Sequence, residues 1–295
     1  MDLNKLLERI NYVGSIDEVS LKLLNELCIS IVSSIPYETL DNFGGKQQQF
    51  GLQIIYDKIV NDHRGGNCID LNIILHWMLS KIGFNVEMCI SYGIDKKSNS
   101  FIENSPHMCL LVTFDDGQRW LTDVGFGGMG FVFPLEMNQL AVEQYQPNGI
   151  YRIRRYDDDI FFAEKKRQTQ LDLHGSVISS RRFSTNRADS EWNILYGFST
   201  KAMQLEDIRK IYLLPGREHA FTSVNCVAIL QDTHHRRFLT GSTFIKKQYI
   251  DPMTIQVVHL RQLDKNELNK ILQSEFGIVL NFELRPRSEL TWIAG

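Results

Sequence analysis

His63-Arg64-Gly65-Gly66-Asn67-Cys68-Ile69-Asp70-Leu71-Asn72 sets a two-glycine turn directly against the start of an apolar helix. Downstream, Leu71, Ile74, Leu75, Met78, Leu79 and Ile82 recur at helical spacing and stop at Gly83, a residue suited to the left-handed conformation after a helix. Ile73 and Trp77 make this helix apolar nearly all round, so burial is expected. The two glycines permit a tight backbone turn, which puts Cys68 in or just before the first helical turn. Free backbone N–H groups and the positive dipole end there favour a thiolate over a thiol. An ordinary thiol, with a pKa of about 8.5, is only a few per cent ionised at neutral pH, so this placement supplies part of what a nucleophile needs.

Upstream of this junction the chain is helical in pattern. Leu3, Leu6, Leu7 and Ile10 form one stripe ending before Gly14, Leu21, Leu24, Cys28 and Ile31 a second ending before Pro36, and Leu52, Ile55, Tyr56 and Ile59 a third. From about residue 84 the pattern changes to strands: FNVEMCISYGI, HMCLLVTF and QRWLTDVGF are short, rich in β-branched and aromatic residues, and separated by turn clusters. Segments near 151–163, 175–183 and 192–198 extend the sheet, and the polar stretch 164–190 reads as loop-rich. In the last third, SVNCVAILQD and RRFLTGSTFIKKQ read as paired strands, and Asp264 with Glu267 forms a capping box ahead of Leu268, Ile271, Leu272 and Phe276. Helices, then strands, then a mixture argue for an α+β protein with segregated lobes.

The 295 residues are 43 % hydrophobic and 23 % charged, which excludes disordered and fibrous classes. Lys and Arg number 32 against 35 Asp and Glu, a net charge of −3 that removes the global electrostatic argument for a nucleic-acid or anionic-membrane partner. Small-molecule chemistry is the expectation. The five cysteines, Cys28, Cys68, Cys89, Cys109 and Cys226, are scattered without zinc spacing, as reduced thiols in the cytoplasm would be. No run of 18 apolar residues offers a bilayer span, and the N-terminus carries charges where a signal peptide has an apolar run.

A cysteine nucleophile gains from an imidazole partner, and the chain has eight histidines. His63 lies across the Gly-Gly turn, His76 is two turns down the helix, and His234-His235 sit at a polar turn. His107 differs because it opens a strand of an expected 107–124 hairpin, whose returning strand ends at Asp123. A histidine base needs a third group to fix its orientation. If the turn holds an odd number of residues, such as Asp115 to Gly117, position 107 pairs with 125, and Asp123 shares the face of His107. An even-numbered turn puts them on opposite faces. Cys28, Cys89, Cys109 and Cys226 occupy apolar periodic positions and read as core. His107 and Cys109 share a face, but with no further ligand nearby no metal site is expected. Gly125-Phe126-Gly127-Gly128-Met129-Gly130 partly imitates a dinucleotide fingerprint, yet FVFP follows it where a helix is required. It reads as a tight loop whose amides can line a site beside Asp123.

Arg64-Gly65-Gly66-Asn67-Cys68-Ile69-Asp70-Leu71-Asn72 resembles the RGGxCxExN signature of the arylamine N-acetyltransferases. Ile35-Pro36-Tyr37-Glu38-Thr39-Leu40 resembles that family's IPFENL, Pro106-His107-Met108 has its counterpart, and Leu121-Thr122-Asp123-Val124-Gly125-Phe126-Gly127 is similar to its strand ending in DxGFG. The resemblance covers residues 1 to about 135 closely and the final third more thinly. It implies a helical bundle carrying the nucleophile over 1–84, a β-barrel carrying His and Asp over 85–192, and an α/β lid over 193–295, around a cysteine-proteinase-like Cys-His-Asp core. It implies ping-pong transfer of acetyl from acetyl-coenzyme A through a Cys68 thioester to an arylamine, arylhydrazine or N-hydroxyarylamine. The catalytic set becomes Cys68, His107 and Asp123. Tyr37, Pro106 and Phe126 map near the acceptor, Gly127, Tyr212 and Ser288 near the coenzyme, and Arg64 with Glu38 onto a scaffold pair that holds the cysteine loop.

Two positions depart from the family pattern. Asn67 replaces the aromatic residue usual before the cysteine, and Asp70, one methylene shorter, replaces Glu or Gln. Neither change removes a triad atom. The alternatives are another Cys-His-Asp acyl transferase or hydrolase, of papain-like or transglutaminase-like type, and a non-catalytic coenzyme A-binding member of the fold.

Overall fold

The computed structural model describes residues 1–45, 49–94, 101–178, 191–213 and 226–285. Ser288 and its neighbours, residues 179–190, and the start of the expected strand at 223–225 lie outside the described residues.

Helices α1 (Leu3–Arg9), α2 (Leu21–Ser34), α3 (Leu52–Tyr56) and α4 (Cys68–Ile82) form the first layer. Asp2 and Ser20 cap α1 and α2 by accepting first-turn N–H groups, as short polar side chains do at helix starts. Leu6, Leu24, Leu27, Ile31, Ile59, Ile74 and Met78 meet in one core. Each such side chain fully buried contributes about 1.5–3 kcal/mol, and α4, buried on nearly every side from Cys68 to Leu79, is held firmly by them. The stripe from Leu52 to Ile59 is not one regular helix. After Tyr56 it widens into a π turn at Asp57–Asn61, where Asp62 N–H donates to Asp57 O at 2.9 Å.

An eight-stranded antiparallel sheet follows, in the order β5-β4-β3-β2-β10-β8-β7-β6. Its members are β2 (Asn85–Ile94), β3 (Phe101–Thr113), β4 (Arg119–Thr122), β5 (Leu135–Glu136), β6 (Gln144–Gln146), β7 (Gly149–Arg155), β8 (Ile160–Lys166) and β10 (Trp192–Met203). β5 returns against β7, so the sheet curls into a nearly closed barrel filled by Cys109, Leu111, Leu121, Tyr151, Ile153, Phe161 and Phe198.

The second sheet has the order β1-β11-β12-β13-β14-β9. It joins β1 (Tyr37–Glu38) and β9 (Thr169–Leu171) to β11 (Val227–Gln231), β12 (His235–Thr240), β13 (Thr243–Asp251) and β14 (Thr254–Gln262). Ala228, Leu239 and Phe244 on one face pack under the last helix, α6 (Lys265–Phe276), capped reciprocally by Asp264 and Glu267. A shorter helix, α5 (Leu205–Tyr212), links the sheets. Three segments cross the divisions expected at 84/85 and 192/193: β10 pairs with β2 and β8 inside the barrel, while β1 and β9 join the second sheet.

Candidate active site

The β3–β4 turn is Asp115, Asp116 and Gly117, closed by Phe114 N–H to Gln118 O and Gly117 N–H to Phe114 O, both 2.9 Å, with Gly117 at φ +82°. This odd-numbered loop pairs Leu110 with Thr122 and Thr113 with Arg119. Carried onward, the register sets Asp123 opposite Cys109 and on the face of His107. The two side chains meet there: His107 Nε2 lies 2.7 Å from Asp123 Oδ2, and both are buried.

Cys68 is the first residue of α4 and is 8 % exposed. With Nε2 committed to Asp123, the other ring nitrogen of His107 is left for the Cys68 sulfur, to which the ring is hydrogen-bonded. Burial opposes charging the ring, but the Asp123 carboxylate and then Cys68 outweigh it, so the His107 pKa is raised to about 10. The pair of Asp123 and Cys68 thus favours the charged ring over the neutral one. Phe126 and Tyr196 pack on the ring with centroids at 5.2 and 5.1 Å. Burial, followed by the Asp123 charge, pushes the Tyr196 phenol well above its ordinary pKa, so it stays neutral beside the carboxylate.

Asn72, one turn along α4 from Cys68, ties the three elements together. Its Nδ2 donates to Cys68 O at 3.1 Å, Met108 O at 2.7 Å and Asp123 Oδ1 at 2.8 Å, and its Oδ1 accepts Val124 N–H at 3.1 Å. Asp123 Oδ1 also accepts Gly125 N–H at 2.9 Å. At Gly125 a Cβ would stand 2.4 Å from Cys68 O and 2.9 Å from Cys68 Cα, so only glycine lets this loop approach Cys68 so closely.

The cysteine loop is anchored from behind. Gly66 N–H donates to Pro36 O and Glu38 N–H to Gly66 O, joining the Gly-Gly turn to β1. The expected Arg64–Glu38 pair is present, but in place of a two-oxygen fork, Arg64 Nε and Nη2 both donate to Glu38 Oε1, at 3.1 and 2.6 Å. Nη2 also reaches Asp41 Oδ1 at 3.0 Å, and Glu38 Oε2 accepts Leu40 N–H at 2.7 Å. Lys58, presented by the π turn, sits 2.7 Å from Asp41 and 3.5 Å from Glu38.

The other sequence-expected residues fall as follows. Pro106 is buried in β3 opposite Tyr92, and Tyr37 is half-buried in β1 alongside Gly127. Gly127, at φ +64°, opens a short turn to Met129 and its carbonyl accepts from Gln231 Nε2 at 3.2 Å. Tyr212 ends α5, packs against Phe50 with ring centroids 5.0 Å apart and planes tilted by 55°, and accepts a bond from Asn67 Nδ2 at 3.3 Å. A cavity of about 390 Å³ touches Asn67, Asp70, Arg64, Lys58 and Tyr212, but neither Cys68 nor His107 lines it. Asn72, Lys58 and Tyr196 were not assigned a role from sequence. For Asn72 the signal was available: a polar residue at i+4 from the cysteine on an otherwise apolar helix. Among the described residues no three His, Cys, Asp or Glu side chains gather to hold a metal ion, and no helix is long and apolar enough to cross a membrane.

A thiol at a helix start, an imidazole and a carboxylate meet in one buried line, on a helical layer against a barrel, an arrangement suited to nucleophilic catalysis. The chain belongs to the N-acetyltransferase family, and so to the acyltransferases: a family model of that description matches residues 20–285. Among curated relatives, arylamine N-acetyltransferase 2 of Rattus norvegicus and arylamine N-acetyltransferase 1 of Homo sapiens are each 27 % identical over 290 residues, covering 97 % of either chain. The fold is that of the arylamine N-acetyltransferase from Salmonella typhimurium, with a TM-score of 0.76 at 23 % identity over 94 % of this chain and 90 % of that one. A Mycobacterium marinum arylamine N-acetyltransferase solved in complex with CoA gives 0.74 at 24 % identity, covering 94 % of this chain and 93 % of that one.

Proposed function

We propose that this chain moves an acetyl group from acetyl-coenzyme A, through a thioester on Cys68, to the nitrogen of an arylamine, arylhydrazine or N-hydroxyarylamine. The observation that carries this reading is the buried line Cys68–His107–Asp123, closed by the 2.7 Å contact between His107 Nε2 and Asp123 Oδ2. The names of the relatives and the CoA-bound neighbour support the donor and acceptor classes.

Cys68, as the thiolate of a thiolate–imidazolium pair, attacks the thioester carbonyl carbon, and the oxyanion that forms is met by the Cys68 amide and a neighbouring backbone donor. His107 gives its proton to the departing coenzyme A sulfur as the carbon–sulfur bond breaks. In the second half the acceptor nitrogen attacks the acyl-Cys68 carbonyl, His107 takes the nitrogen's proton, and Cys68 leaves as thiolate. Asp123 holds the ring in one orientation throughout, and Asn72 holds Asp123. Phe126, Tyr37 and Pro106 are the proposed walls for a flat aromatic acceptor, and Gly127, Tyr212 and Ser288 the proposed coenzyme contacts. Five free, buried cysteines support a cytoplasmic setting as part of this reading.

Brief exposure to acetyl-coenzyme A followed by intact-protein and peptide mass spectrometry tests it. The expected result is an adduct of about 42 Da on Cys68 that an arylamine discharges. No adduct on Cys68, together with full activity in Cys68→Ser, would refute the mechanism.

A further inference from the structure

Behind the glycine loop, Lys165 of the barrel and Lys247 of the second sheet each lie within electrostatic range of Arg236, and among the described residues none of the three is paired with a carboxylate. Lys165 faces inward from β8, opposite Tyr151 across the β7–β8 ladder, and is 2 % exposed. Its Nζ lies 5.2 Å from the Tyr151 ring centre and makes no hydrogen bond among the described residues. Arg236 and Lys247 are directly opposite one another on β12 and β13, so they project from the same face of the second sheet, as does Tyr249 two residues along. Like charges directly opposed across a ladder repel. Among the described residues neither cation, nor Lys165, has an acidic partner within ion-pair distance, whereas Arg237, on the other face, reaches Asp232 and Glu275.

The electrostatic consequence is visible at both lysines. Burial, then the Arg236 charge, holds the Lys165 amine well below the ordinary lysine range, and the same two causes lower the Lys247 pKa to about 8. The neighbouring polar groups are largely committed to the loop. Arg236 Nη1 donates to Gly128 O, Tyr151 Oη and Asn148 Nδ2 donate to Gly130 O at 3.1 and 2.8 Å, and Gln231 Nε2 donates to Gly127 O. Left over are the remaining guanidinium donors, the Lys165 amine, the Lys247 donors beyond its bond to Gln170 Oε1 at 3.0 Å, and Asn148 Oδ1, a buried acceptor with no hydrogen bond among the described residues. That donor-rich set with one acceptor fits a tetrahedral oxyanion that can carry a proton of its own. Chloride has no proton to offer the amide oxygen. Arg236 and Lys247 are half-buried and open the cluster to solvent, while Lys165 closes its inner end.

We propose that Lys165, Arg236 and Lys247, with Asn148, form an anion site for a phosphate group, either inorganic phosphate or a phosphate monoester, behind the loop that carries Phe126 onto His107. The site stands independently of the acyl-transfer reading. Only the identification of the monoester as part of coenzyme A would rest on that reading.

Calorimetric titration of the full chain with inorganic phosphate, in a chloride buffer at constant ionic strength, tests the site directly. Saturable binding is expected, weakened about tenfold or more in Lys165→Met and, separately, in Lys247→Met. Replacing a buried unpaired amine with an apolar chain of similar length leaves folding intact, which the melting temperature checks. Turnover of p-nitrophenyl acetate, an acyl donor without a phosphate, should stay within about twofold of the parent in both variants. Phosphate competing with acetyl-coenzyme A, with KM for acetyl-coenzyme A raised in both variants, supports the coenzyme's monoester as occupant. Phosphate binding that persists under saturating coenzyme A supports a free anion. Absence of saturable phosphate binding, or equal affinity in the parent and both variants, overturns the proposal.

Discussion

Replacing Asn72 with leucine should damage the site without touching any atom of the triad. The two side chains are similar in volume, so the α4 packing is kept while four polar contacts vanish. The Cys68 carbonyl retains its place in the helix ladder. Val124 N–H loses its acceptor at 3.1 Å, Met108 O loses its donor at 2.7 Å, and Asp123 Oδ1, with its donor at 2.8 Å gone, is left with Gly125 N–H alone. Taking about 1 kcal/mol for each of these three buried groups, the low end of the cost of leaving one unpaired, gives a loss of about 3 kcal/mol. For a chain of this size that is a fall of roughly 6 °C in melting temperature. The functional loss should be larger in proportion, because Asp123 is then free to turn and His107 loses its fixed partner. Differential scanning calorimetry and the rate of Cys68 alkylation by iodoacetamide, measured on the same preparation, read the two effects. A melting temperature within about 2 °C of the parent, together with an unchanged alkylation rate, would refute the account of Asn72 as the tie between α4, β3 and the Asp123 loop.

Asp123→Asn removes the charge that holds the His107 proton. Stability from the raised His107 pKa is present below the ring's ordinary value of about 6.5 and is lost as pH rises towards about 10, so the variant's unfolding free energy should decline less steeply across that window in denaturant titrations at several pH values. Gly125→Ala places a methyl 2.4 Å from Cys68 O, and about 1–3 kcal/mol of overpacking should accompany a disproportionate loss of acyl transfer in steady-state assays. Arg64→Met leaves the buried Glu38 carboxylate with Lys58, at 3.5 Å, as its remaining cation among the described residues and Leu40 N–H as a donor, and should cost about 3–5 kcal/mol in calorimetry, with the cysteine loop loosened to proteolysis. Asn67→Ala should cost about 1 kcal/mol through loss of the cap, while Asn67→Ser should restore that stability without restoring the bond to Tyr212.

What could be read in advance depended on how local the determining contacts are. The start and end of α4 follow from Gly66, Asn67, Asp70 and Gly83, all within the helix or one turn of it, and the face shared by His107 and Asp123 follows from the parity of a single turn. The α6 cap at Asp264 and Glu267 is equally local. The π turn after Tyr56 was illegible because its apolar positions keep helical spacing, while its purpose, presenting Lys58 to Glu38 and Asp41, lies in a segment fifteen or more residues earlier in the chain. β1 is only Tyr37–Glu38, and its partner Ala228–Ile229 comes from the far end of the chain, so no local pattern announces it. β10 is legible as a strand at 192–198, but not its place beside β2 in the barrel, since a long polar stretch separates it from the barrel's other strands. Lys165 carries no signal at all: in sequence it belongs to a charged run, Glu164-Lys165-Lys166, and only strand alternation sends it inward while Glu164 pairs with Arg152 and Arg154.

The two departures from the family signature are best understood as one coupled change. Asn67 Oδ1 accepts Ile69 N–H at 2.9 Å and Asp70 N–H at 3.2 Å, while Asp70 Oδ2 accepts Asn67 N–H at 3.1 Å, a reciprocal capping box around the helix that begins at Cys68. An aromatic residue at 67 has no oxygen to offer those amides, so asparagine brings the cap that an aromatic residue cannot. The shorter carboxylate at 70 still closes the return bond, and it does so because Gly66, where a Cβ would stand 2.5 Å from the Asp70 Cβ, allows the turn to fold tightly over it. Two of the first-turn amides are consumed by the Asn67 side chain, which leaves the field of α4 to act on the Cys68 sulfur through the helix as a whole. The spare Nδ2 of Asn67 then reaches Tyr212 at the end of α5, coupling the residue before Cys68 to a helix that lies between the two sheets in the chain. Where the family pattern has an aromatic residue before the cysteine, this chain puts a polar bridge to Tyr212, and the contact between His107 and Asp123 is retained.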